Sequence, residues 1–133
     1  MFKLIKCMNG RQSVGEPAIL PATAGETYVF GEALVLTTEG KLTKCSATKP
    51  THICGVSIER AAEGDKVRCI EIAPNMVFET TFSVAPASLA VGAKVTISAD
   101  ALSVTKTTTD GVATIHNLLG ATAAGDAVEV VFR

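Results

Sequence analysis

The sequence predicts an all-β fold, a small barrel or sandwich built from two similar β units with an extended N-terminal arm, and three observations predict it. The chain repeats itself at an offset of 61 residues: Gly31 falls on Gly92, Leu34 and Leu36 on Val95 and Ile97, and Gly64-Asp65 with Val67 on Gly125-Asp126 with Val128. Fixed-offset similarity of turn and apolar residues marks two copies of one supersecondary unit. From Tyr28 onward, short apolar and β-branched runs alternate with Gly, Asp and Pro turn signals at the spacing of a sandwich or barrel. No long window keeps the 3.6-residue period of an amphipathic helix.

Residues 1 to 24 differ from the rest of the chain. Phe2 to Met8 is a short apolar stretch, and Asn9-Gly10, Gly15-Glu16-Pro17 and Pro21-Ala22 then punctuate the chain too often for a helix. This segment reads as an extended arm on a β domain of residues 25 to 133, in which the copies run over about 31–72 and 92–132. An arm alternating Phe2 and Leu4 with Lys3 suits strand addition to a sheet edge, of its own domain or of a neighbour. Phe2, Leu4 and Ile5 are therefore the candidate partner-interface residues, with an ordinary edge strand as the competing reading.

Strands are expected near Ala33 to Thr37, Lys41 to Lys44, His52 to Glu59, Lys66 to Ile72 and Met76 to Phe82, and again near Lys94 to Ser98, Leu102 to Thr107, Val112 to Leu118 and Ala127 to Phe132. Alternation is cleanest in the last, which places Val128, Val130 and Phe132 inside and Glu129, Val131 and Arg133 outside. Glu71 stands where the repeat would put Phe132, so either a bulge shifts the register or that face is wet in the first copy. Glu39-Gly40 and Asp110-Gly111 supply hairpin bends, and a short helix or turn fits Ala85 to Ala90. Leu36, Val67, Ile97, Val128 and Val130 are the expected core, and the copies are expected to follow similar strand paths related by an approximate two-fold.

Composition bounds function. The 133 residues are 47% apolar and 19% charged, carry a net charge of −1, and lack any dense Lys/Arg run. That leaves nucleic acid no electrostatic footprint. Without a signal-peptide core or an apolar run near 18 residues, neither secretion nor a membrane span is expected. Cys7, Cys45, Cys54 and Cys69 form no C-x-x-C pair and are expected to be free thiols of a reducing compartment.

Groups for catalysis are sparse. His52 and Cys54, two apart on one strand face, are the nearest to a zinc site or a Cys/His dyad, but His116 has no ligand at short spacing to complete a site. Glu59, Glu63, Asp65, Glu71 and Glu79 are scattered over turns and strands, and a chain with five Phe, one Tyr and no Trp has little to line a sugar cleft. Hairpin lysines Lys41 and Lys44 lack the flanking Met, or Asp and Ala, of biotinyl and lipoyl carrier domains. The sequence thus assigns no catalytic, cofactor-binding or metal residue and implies no enzyme and no cofactor.

The run Pro21-Ala22-Thr23-Ala24-Gly25-Glu26-Thr27-Tyr28, the following Gly31 to Leu36, the Gly40-Lys41-Leu42-Thr43-Lys44 hairpin and the two later Gly-Asp-x-Val elements resemble the small head decoration, or capsid-cementing, proteins of tailed phages and prophages. The resemblance covers most of the chain and rests on turn and strand patterns. It implies a compact, non-enzymatic β protein that binds and stabilises the outer surface of a phage capsid. The implied partner is the major capsid protein, the implied state a homo-oligomer with a trimer favoured, and the implied location the virion after synthesis in the host cytoplasm. A small β-sandwich ligand- or glycan-binding module is the alternative from another class.

Overall fold

The structure is a computed structural model that describes residues 1–8, 17–46 and 48–132. The described residues form eleven strands and no helix: β1 (Lys3–Cys7), β2 (Ala18–Pro21), β3 (Ala33–Leu36), β4 (Leu42–Lys44), β5 (His52–Cys54), β6 (Lys66–Glu71), β7 (Met76–Thr81), β8 (Lys94–Ile97), β9 (Val104–Lys106), β10 (Ala113–Asn117) and β11 (Ala127–Phe132). They build two antiparallel sheets, ordered β1-β7-β11-β10-β8-β9 and β2-β6-β5-β3-β4, which pack as a sandwich.

The repeat in the sequence is a repeat in the fold. Once β1 is set aside, the two orders superimpose, with β2, β6, β5, β3 and β4 in the places of β7, β11, β10, β8 and β9. Register repeats as well: Leu34 opposes His52 as Val95 opposes Ala113, and Cys54 opposes Cys69 as Ile115 opposes Val130. Behind each copy lies the same turn chemistry. Gly64 and Gly125 adopt φ of 86° and 87°, and the next residue, Asp65 or Asp126, accepts the N–H of Ala62 or Ala123 on its carboxylate at 2.8 Å. A residue with a Cβ would be strained at that φ, which is why both copies carry glycine there. Past β2, Ala22 forms a single parallel bridge to Leu42 of β4, and Phe82 past β7 does the same to Val104 of β9. Each sheet therefore curls without closing into a barrel.

Two apolar cores result. The larger lies between the sheets, where Phe78, Ile97, Ile115, Val128, Val130 and Phe132 meet Ala33, Cys45 and Ile53. The smaller covers the other face of the second sheet, with Leu34, Leu42, Cys54, Val67 and Cys69 under Tyr28 and Ala61. Tyr28 fastens this layer, since its hydroxyl accepts the Thr23 N–H at 2.8 Å and donates to the Leu42 carbonyl at 2.7 Å.

Several expectations are corrected. The described parts of residues 1 to 24 do not form an extended arm apart from the domain: β1 pairs with β7 and β2 with β6, so both are strands of their own domain. The cause is Phe2, which is 2% exposed and sets its ring 5.4 Å from Phe132 in the core. The punctuating Asn9-Gly10 and Gly15-Glu16 lie outside the described residues. The expected strand from His52 to Glu59 stops at Cys54: Gly55 keeps one further bond to the sheet, its N–H donated to the Arg68 carbonyl at 2.8 Å, and Ile58 turns away to pair with Tyr28. Residues 85–90 form a turn, closed by the Leu89 N–H to the Pro86 carbonyl.

Leu36 is 40% exposed, whereas its counterpart Ile97 is buried. Glu71 lies on the same end of that sheet, exposed, in the place of buried Phe132. Because the β5–β6 register is unbroken, the wet-face explanation holds and the bulge does not. Val131, expected outside, is 2% exposed. Val67, Ile97, Val128 and Val130 are buried as expected.

Candidate interaction surface

An apolar groove of about 420 Å3 lies along the edge of the sandwich. Its location follows from β1. That strand is terminal in its sheet and, among the described residues, pairs in a ladder only with β7, so its outer edge is an open one. Pairing slips between Leu4 and Lys6, which leaves Ile5 as the extra residue of a bulge. Leu4 and Ile5 form one wall, half-buried, and Ile53 and Ile70 of the second sheet form the other. Phe30 stands at the mouth, 52% exposed, with its N–H donated to Ser57 Oγ at 3.1 Å.

The rim is basic. Lys3 and Lys6 are exposed, and no lining residue is acidic. Lys6 Nζ lies 3.7 Å from Glu129 Oε2, a loose contact across the sheet. Of the three interface residues expected from sequence, Leu4 and Ile5 line the groove, while Phe2 forms its floor as part of the core. Phe30, Ile53 and Ile70 were not signalled by the sequence. A lone Phe ahead of Gly31 is the only local hint.

His52 and Cys54 are both buried, each engaged separately. His52 Nδ1 is 2.8 Å from Thr51 Oγ1, and the Cys54 thiol donates to the Val56 carbonyl at 2.9 Å. Among the described residues no group of three or more His, Cys, Asp or Glu is placed to hold a metal. All four cysteines are free, with Cys45, Cys54 and Cys69 buried and Cys7 half-buried. Of the hairpin lysines, Lys41 pairs with Glu63 at 3.5 Å and Lys44 with Glu32 at 3.0 Å. No described helix is long and apolar enough to cross a membrane.

Burial pushes the His52 imidazole below its ordinary value, and Glu71 opposes this only in part. The unfolded chain then takes up a proton near pH 6.5 while the folded chain resists it, so the unfolded state binds more protons as pH falls. Stability contributed by neutral His52 is complete above the ordinary histidine range and lost as pH drops through it. The melting temperature should fall between pH 7.5 and 5.5, and His52→Gln should reduce that fall. Asp100 and Asp126, both held below the usual carboxylate value, add their losses only at more acid pH.

Comparison of the chain with protein-family models and with curated proteins finds no match.

Proposed function

We propose that this chain is a non-enzymatic structural protein that binds and stabilises the outer surface of a phage capsid, as a virion component made in the host cytoplasm. The observation that carries the reading is the apolar groove lying beside the free edge of β1. An extended segment of a major capsid protein would pair with that edge through main-chain hydrogen bonds and place alternate side chains on Ile53 and Ile70. The Lys3 and Lys6 rim favours an acidic flank on the segment and disfavours pairing of β1 with the β1 of a second copy. Repetition of this contact over equivalent capsid sites fits a homo-oligomer, with a trimer favoured, and the resemblance to head decoration proteins supports the same role.

The glycan-binding alternative needs aromatic faces gathered in a concave patch. Of five Phe and one Tyr, Phe30 alone is exposed, which favours assembly.

Co-sedimentation with expanded, undecorated capsids of a tailed phage or prophage whose genome carries this chain tests the proposal. Phe30→Asp and Ile5→Asp should each weaken binding by about tenfold or more, roughly 1.4 kcal/mol per decade, with melting temperatures close to the parent. Failure of the parent protein to bind would overturn the capsid role. Full binding by both folded variants would overturn the groove as the surface.

A further inference from the structure

We propose that Cys54 and Cys69 are a cross-strand thiol pair that closes to a disulfide when the folded protein meets a disulfide oxidant such as oxidised glutathione. The inference rests on the geometry of the second sheet and is independent of the capsid role. Cys54 and Cys69 are direct register partners on β5 and β6. The Thr51 carbonyl accepts from the Ile72 N–H, and Gly55 donates to the Arg68 carbonyl. Those two rows are hydrogen-bonded pairs, and rows alternate along an antiparallel ladder, so 54/69 is a non-hydrogen-bonded row. Cα atoms in such a row stand about 4.5 Å apart with side chains on one face, inside the span of roughly 4.4–6.8 Å that a disulfide bridges.

The other half of the fold shows what the same place does with ordinary side chains. There Ile115 and Val130 occupy the equivalent row, both buried, as an apolar contact. Cys54 and Cys69 fill their site as thiols, both in the smaller core. Cys45 lies in the larger core and Cys7 packs against it, on the opposite side of the sheet, so neither competes for this partner.

Cys54 is 2% exposed and Cys69 fully buried, so a small oxidant reaches them through opening of the smaller core. In the first step Cys54 releases its proton and its sulfur attacks one sulfur of oxidised glutathione, forming a mixed disulfide and expelling a glutathione thiolate. Cys69 then releases its proton and attacks the Cys54 sulfur, expelling the second. Two cysteines are oxidised, one glutathione disulfide is reduced by two electrons, and the two protons end on the two glutathiones. Burial pushes both thiols up, Cys69 to about 11, so closure is slow at neutral pH and faster as pH rises.

The test treats the folded protein with oxidised glutathione at pH 7 and pH 9, quenches with an alkylating reagent, and maps the peptides without reduction. Expected are a Cys54–Cys69 linked peptide, faster formation at pH 9, and a melting temperature raised by several degrees. Cys69→Val, which copies the Val130 side chain of the other half, should abolish the link, and the Cys7→Ser/Cys45→Ala double variant should retain it even if Cys69→Val does not fold. Recovery of both cysteines alkylated, links to Cys7 or Cys45 instead, or a link that forms only in denaturant would each overturn the proposal.

Discussion

Phe132→Ala should lower the free energy of unfolding by about 3–5 kcal/mol, the range for removing a fully buried aromatic ring. The ring is 1% exposed and sits between Phe2 at 5.4 Å and Phe78 at 5.6 Å, both tilted against it. Its aromatic partners are anchored on β7 and on Phe2, just ahead of β1. Phe2→Ala should be costly for the same reason, and the two losses should couple by about 1 kcal/mol in a double-mutant cycle. Urea denaturation measures all three. A loss below about 1 kcal/mol at Phe2, well short of the range for a buried ring, would restore the projecting arm, because the first strand would then be dispensable to its own domain.

Lys44→Ala should cost about 2 kcal/mol, less than the roughly 3–5 typical of breaking a fully buried ion pair. Glu32 is 0% exposed, and Lys44 Nζ lies 3.0 Å from its Oε1 in an ion-pair contact without hydrogen-bond alignment. Its other oxygen accepts the Val29 N–H at 3.1 Å. Losing the lysine strands a carboxylate that water reaches poorly, but Lys44 itself is half exposed, so some solvent enters in its place. Adding Glu32→Gln to Lys44→Ala should recover part of the loss. A double variant no more stable than Lys44→Ala would show that the charge of Glu32 is not what the lysine offsets.

Glu32 also shows where the two halves diverge. Its counterpart by the repeat is Ala93, and both N–H groups close the same turn, Glu32 to Val29 and Ala93 to Ala90 at 3.0 Å. The backbone of the repeat is shared, and the side chains hung on it are not. The copies therefore agree in the features that turns and pairing rows require and differ at Leu36 against Ile97, Glu71 against Phe132, and Cys54 against Ile115.

By itself the sequence determined the all-β class, the positions of most strands after Tyr28 and the doubling of the fold. These depend on local chemistry: glycine at positive φ, aspartate capping the next turn, and alternation that assigns each side chain to one of two faces. Leu4 and Ile5 it placed on an extended arm, with an edge strand only as the competing reading. Which face became a core was decided only in three dimensions, because alternation separates two faces and does not say what lies above either. Phe132 made Phe2 a core residue and so drew the first strand into its own sheet. The curl of the second sheet under Tyr28 left Leu36 beyond the cover. The groove is tertiary for the same reason: Leu4 and Ile5 meet Phe30, Ile53 and Ile70 across a gap between sheets, and contacts between residues so distant in sequence leave no periodic mark on the chain.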